Sequence, residues 1–251
     1  MTRQPTLSSP GPDWAAGPGR PLLAEGAVHV WRADLTAVSD KLLGLLSPEE
    51  RVRAERFSRE RDRQLWTHSR GLLRALLGRY LHADPRTLRL ATGTHGKPAL
   101  ADDPLGSATP PDTNSPRSVS LSFNLSHSGG LALYAFAPTA AVGVDVEVSR
   151  RSVNAVAIAA RTFGAAEASR LELLDAPSRE REFLRAWVRY EAELKCLGVG
   201  IGAVHSAAHG HTPWIAQLEV GPRAAAAVAV ELPPHELRCW EWPPRDDASC
   251  G

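Results

Sequence analysis

Val142-Gly143-Val144-Asp145-Val146-Glu147-Val148 is the stretch from which the fold is read. Valines at 142, 144, 146 and 148 alternate with Gly143, Asp145 and Glu147. That period of two is the pattern of a β-strand, in which residues two apart project to the same face. Both carboxylates therefore point one way. Carboxylates held so close repel unless a cation neutralises them, and paired acidic oxygens suit Mg2+. The same alternation would also describe a solvated polar face on a half-buried antiparallel strand, so the neighbouring sequence has to separate the two readings.

Upstream lies Phe123-Asn124-Leu125-Ser126-His127-Ser128, itself preceded by Gly96-Lys97-Pro98. Downstream lies Trp187-Val188-Arg189-Tyr190-Glu191-Ala192-Glu193-Leu194-Lys195, where Glu191 and Lys195 are four apart and share one helical face. A third carboxylate and an ammonium suited to phosphate thus join the pair. In this order and spacing the stretches resemble the Sfp-type 4′-phosphopantetheinyl transferases. The pattern of that family is a Gly-[Ile/Val]-Asp-[Ile/Val]-Glu strand, an Asn-[Ile/Leu]-Ser-His-Ser stretch before it and a Trp-x-x-[Lys/Arg]-Glu-[Ala/Ser]-x-x-Lys helix after it. The resemblance covers roughly residues 47 to 200.

The resemblance implies an α+β fold of two similar halves packed as a pseudo-dimer, although the halves share no obvious sequence repeat. It implies transfer of the 4′-phosphopantetheine arm of coenzyme A to a serine of an acyl or peptidyl carrier protein, with Mg2+, releasing adenosine 3′,5′-bisphosphate. Asp145, Glu147 and Glu191 would then hold the metal, and Glu191, Lys195 and Asp145 would be the catalytic set. Ser126, His127 and Lys195 would meet phosphate, Lys97 and Pro98 would border the nucleotide, and Arg53 with Arg63 would match cations facing the 3′-phosphate. Two departures stand out: a family lysine falls on Glu50, and Tyr190 stands where Lys or Arg is usual. A Mg2+-dependent nucleotide pyrophosphate hydrolase would use the same carboxylates. A noncatalytic carrier-binding module would have no need to keep all three together with Lys195.

Composition sets wider bounds. With 251 residues and 43% of them apolar, the chain can build one large core or two small ones. Its 29 basic and 28 acidic residues leave a formal charge of +1, which argues against a general nucleic-acid or membrane-surface binder. Cys196, Cys239 and Cys250 are odd in number and widely spaced, so neither a disulfide framework nor a zinc site is expected, and a reducing cytoplasm fits. Residues 1–20 lack the apolar core of a signal peptide, and no apolar run nears the about 20 residues of a membrane helix. A cytoplasmic monomer is expected.

Along the chain, residues 1–24 have turn-forming composition and read as a mobile extension. Residues 25–138 read as the first half, 139–232 as the second with the metal site, and 233–251 as a peripheral tail. A helix is expected over 35–46, and Ser47-Pro48-Glu49-Glu50 opens another with an N-cap serine, a proline at the first position and a glutamate three residues on. The stripe over 65–81 predicts the main core helix of the first half, with Arg70 and Arg74 beside it in structural ion pairs. Residues 102–117 read as a disordered insertion. The strand over 118–125 is expected to deliver Ser126 and His127 at its end. The strand over 131–136 is expected to pair with 142–148 through the Pro138-Thr139 turn. Residues 179–197 predict the long helix of the second half, ended by Gly198. His205, His209 and His211 lack an evident fourth ligand for a transition metal.

Overall fold

Long apolar runs set the layers. The computed structural model describes residues 14–92, 97–101, 121–149, 154–199 and 212–243. The insertion at 102–117, the three histidines at 205, 209 and 211, Cys250 and residues 1–13 lie outside that set. The first part holds β1 (Ala15–Ala16), β2 (Ala27–Asp34), a 3₁₀ helix (Asp40–Leu45), α1 (Pro48–Glu55), α2 (Glu60–Leu81), β3 (Leu90–Thr92), β4 (Pro98–Leu100), β5 (Ser122–Ser128) and β6 (Leu131–Ala137). The second holds β7 (Val142–Val148), α3 (Ala155–Thr162), α4 (Ala165–Glu172), α5 (Ala176–Leu197), β8 (Trp214–Leu218), β9 (Ala224–Val230) and β10 (Glu236–Glu241).

β6 is apolar at every position, as a central strand covered on both faces should be. Leu133 and Ala135 point into a core shared with Val28 and Val30 of β2, Val142, Val144 and Val146 of β7, and Val228 and Val230 of β9. Tyr134 and Phe136 point the other way, onto Leu72, Leu73, Leu76 and Leu77 of α2. Two sheets thus pack face to face, with α2 outside one. α5 covers the other, where Val188, Ala192 and Cys196 meet Ala225, Ala227 and Ala229 of β9. Alanine at alternate positions of β9 is what lets a helix lie this close to the sheet.

The two halves repeat. β2, β6 and β5 stand side by side in that order, all antiparallel, and β7, β9 and β8 do the same. In each half a helix of 22 residues, α2 or α5, follows the first strand and precedes the second. This is the α+β pseudo-dimer that the family resemblance implied.

Four expectations are corrected. β6 does not pair with β7 as a hairpin; it is central in the first sheet, and β7 pairs with β9. The segment from residue 233 is not a peripheral tail throughout, because Glu236–Glu241 runs parallel to β2 from Ala27 to Arg32. Residues 14–24 are not all a free extension either: Trp14 is buried, its indole N–H donates to the Glu219 carbonyl at 2.6 Å, and Ala15–Ala16 pairs with β10. The helix expected over 35–46 is a short 3₁₀ helix. The capping box does form, with Ser47 Oγ accepting from Glu50 N and Glu50 Oε2 accepting from Ser47 N. No helix among the described residues is long and apolar enough to cross a membrane.

Candidate active site

The site lies where an edge strand of one sheet runs beside an edge strand of the other. β5 closes the five-stranded sheet and β7 the three-stranded one. Side chains join them. Asn124 Oδ1 accepts from Val144 N at 3.0 Å, Ser126 Oγ donates to Asp145 Oδ1 at 2.7 Å, and Ser128 Oγ donates to Glu147 Oε2 at 2.7 Å while accepting from Val148 N at 3.2 Å. The period of two in β5 is what sets 124, 126 and 128 against one neighbour. Ser126 and His127 are therefore inside the strand and not at its end.

Gly143 sets the distance to the helix above. A Cβ there would stand 2.1 Å from the Ala192 carbonyl oxygen and 2.4 Å from Cys196 N, so the α5 backbone rests directly on β7. This contact carries Glu191 and Lys195 to the carboxylate strand. Lys195 Nζ donates to Asp145 Oδ1 at 2.6 Å and to the Val144 carbonyl at 3.3 Å. Asp145 is only 3% exposed, and its Oδ2 is buried with no hydrogen-bond partner.

The electrostatics follow from this crowding. Burial raises the pKa of Glu191 above the ordinary carboxylate value; the negative charges of Asp145 and Glu147 push the same way, and Lys195 pulls back. Burial, and then Lys195, lower the pKa of His127, so its imidazole is neutral at pH 7. Burial lowers that of Lys97 too, with Lys195 adding to it. Lys97 Nζ donates to the Lys195 carbonyl at 2.9 Å, tying the first half to the C-terminal turn of α5.

These groups open onto a cleft of about 640 Å³. Of the residues singled out from sequence, Arg53, Lys97, Pro98, Ser126, His127, Glu191 and Lys195 line it. Asp145 and Glu147 stand behind Ser126 and Ser128. Arg63 is not brought there; it is exposed and paired with Glu60 on the first turn of α2. Arg70, expected only as an ion-pair partner, does line the cleft. Its guanidinium lies 5.5 Å from the Trp66 ring centre, that of Arg53 lies 5.7 Å from the same ring, and Arg70 Nη1 is buried without a hydrogen bond. The spacing of Trp66 and Arg70, one helical turn apart, is the signal that would have found it.

Arg74 behaves as expected, buried and bonded to Glu50 and to the Pro85 and Leu88 carbonyls. Glu50, standing where the family has a lysine, supplies the countercharge to Arg74 at 2.6 Å and to Arg70 at 3.4 Å. Tyr190 packs its ring edge-on to Phe163.

The donor set suits a hard divalent cation: Asp145, Glu147 and Glu191 offer carboxylate oxygens, and the buried Asp145 Oδ2 lacks any protein partner. Among the described residues, no three His, Cys, Asp or Glu side chains are gathered as a ready metal cluster. The ammonium on Asp145 occupies that carboxylate instead.

Comparison with known proteins agrees over both halves. A family model described as 4′-phosphopantetheinyl transferase, N-terminal, matches residues 30–139, and one described as 4′-phosphopantetheinyl transferase superfamily matches residues 141–242. The chain is 34% identical over 203 residues to the 4′-phosphopantetheinyl transferase HetI of Nostoc sp., covering 80% of this chain and 81% of that protein. It is 34% identical over 157 residues to a putative 4′-phosphopantetheinyl transferase of Synechocystis sp., covering 62% and 58%. It is 30% identical over 194 residues to a phosphopantetheinyl transferase of Thraustochytrium sp., covering 70% and 62%.

Proposed function

The chain belongs to the 4′-phosphopantetheinyl transferase superfamily, enzymes that move the phosphopantetheine group of coenzyme A to carrier proteins, and from that premise we propose how this member works. It is a Mg2+-dependent transferase acting on a serine hydroxyl of an acyl or peptidyl carrier protein and releasing adenosine 3′,5′-bisphosphate. The observation that carries this reading is the convergence in one cleft of Glu191 and Lys195 from α5 with Lys97 and His127 from the first half.

Asp145, Glu147 and Glu191 would hold Mg2+, which when bound neutralises charge on the departing bisphosphate. Lys195, Lys97 and His127 face the cleft and bind the non-bridging phosphate oxygens. A neutral His127 donates one ring N–H to such an oxygen, and the arriving negative charge favours its protonation. Arg53 and Arg70, flanking Trp66, receive the 3′-phosphate, and the buried, unbonded Nη1 of Arg70 supports its part in this. Glu191 takes the proton of the incoming serine hydroxyl. The reading includes a monomeric cytoplasmic enzyme, in keeping with the free thiols of Cys196 and Cys239, and no nucleic-acid partner, in keeping with the near-balanced charge.

Chromatography of adenosine 3′,5′-bisphosphate tests it. Release is expected only when coenzyme A, an apo carrier protein and Mg2+ are all present. Equal release without the carrier would instead indicate a hydrolase, and release untouched by a chelator would remove the metal from the account.

A further inference from the structure

Asp145 is the most buried carboxylate of the site, and a buried charge needs a countercharge. Lys195 supplies it. The ammonium lies 2.6 Å from Oδ1, with the lysine side chain 28% exposed and that of the aspartate 5%. Oδ1 also accepts the Ser126 hydroxyl at 2.7 Å, whereas Oδ2 has no partner. The same ammonium borders the cleft and lowers the pKa of His127 within it. Its main chain is fixed, since Lys97 holds the Lys195 carbonyl and Cys196 N lies against Gly143. What remains free to turn is a flexible four-carbon side chain.

A divalent cation and this ammonium seek the same negative charge on Asp145. That the three carboxylates are not gathered as a metal cluster, and that an ammonium sits on the central one, are two sides of a single observation. We propose that Lys195 is the resident counter-ion of Asp145 in the metal-free enzyme, so that metal binding and the release of Lys195 toward substrate phosphate are one coupled event. The proposal rests on the metal reading given above. By linkage, metal then strengthens phosphate binding and phosphate strengthens metal binding, because each takes one member of the ion pair from the other.

Two measurements without turnover test this, both with Mn2+ as the probe. In the first, free Mn2+ is followed by electron paramagnetic resonance during titration of the wild type and of Lys195→Met. The variant is expected to bind about fivefold more tightly, the worth of a partly exposed ion pair. A lesion that merely loosened the site would weaken binding instead. In the second, the wild type is treated with an amine-acylating reagent and its three lysines, Lys41, Lys97 and Lys195, are resolved by peptide mass spectrometry. Labelling of Lys195 is expected to rise when Mn2+ is added while that of the exposed Lys41 stays constant. Wild-type binding with no tightening in Lys195→Met, or Lys195 labelling indifferent to Mn2+, overturns the coupling and leaves the metal reading standing. If neither protein binds Mn2+, both fall.

Discussion

Gly143 lies beneath the carbonyl of Ala192 so closely that a Cβ would come within 2.1 Å of that oxygen. Backbone cannot give way as a flexible side chain can. Gly143→Ala should therefore push α5 off β7, lowering stability by about 1–3 kcal/mol as overpacking does. Transfer should fall further than stability alone explains, because the shift moves Glu191 and Lys195 of α5 away from the carboxylates of β7. Thermal melts with turnover measured well below the transition will show this, and wild-type values for both would mean that the helix is not seated as described.

Asp145→Ala should reduce transfer by about 10²-fold or more, the usual consequence of removing a group that organises charge at the reacting centre. Folding should survive, since the change also removes a charge that repels Glu191. Circular dichroism and melting temperature close to wild type, with near-zero turnover, are the expected pair of results. Near-normal turnover in a folded variant would take Asp145 out of the site.

Much of this site could be read from local pattern because its parts are local. Alternation placed Asp145 and Glu147 on one face of β7, and helical spacing placed Glu191 beside Lys195. The errors arose where partners are distant in sequence. β10, with Arg238 and Glu236 among its apolar residues, shows no clean alternation, and its parallel pairing with a strand some two hundred residues earlier leaves no local mark. The bonds from Ser126 to Asp145 and from Ser128 to Glu147 could not be foreseen either, because nothing in β5 announces that β7 will lie alongside. Arg63 and Arg70, seven apart, share one face of α2, so pattern alone could not rank them: Arg63 lies in the exposed first turn, paired with Glu60, and Arg70, two turns further along, reaches the cleft.

Glu191 should govern the acid limb of the rate. A base must be ionised, and burial with two neighbouring carboxylates holds the Glu191 pKa above its usual value. Mg2+ held by the same carboxylate would oppose that shift, so transfer should fall on acidification as Glu191 is protonated, and the fall should move to higher pH as Mg2+ is lowered. Glu191→Gln should lose most of the activity, and raising Mg2+ should restore only part of it, because the proton acceptor is gone. A Gln variant with full activity and an unchanged profile of kcat/KM against pH would show that the base is elsewhere.

Acid should also weaken the fold, through His29. Its Nδ1 faces the Tyr80 hydroxyl at 3.0 Å while Trp31 donates to that same oxygen at 2.8 Å, which leaves the Tyr80 O–H to donate to a neutral imidazole. Burial, and then Arg238, lower its pKa from 6.5 to about 4. The unfolded chain thus takes up the proton first, so this contribution is complete above about pH 6.5 and is lost as pH falls to 4, roughly 3 kcal/mol in all. Denaturant melts across that range should show the decline in the wild type and a shallower one in His29→Gln. Equal slopes would assign the acid sensitivity to other groups.

Mass spectrometry of apo acyl and peptidyl carrier proteins, incubated with coenzyme A, Mg2+ and this enzyme, bears most directly on the central claim. The account predicts that the carrier serine gains the phosphopantetheine arm with wild-type enzyme and not with Asp145→Ala. A folded wild-type protein that leaves both kinds of carrier unmodified, or that cleaves coenzyme A without modifying either, would contradict it.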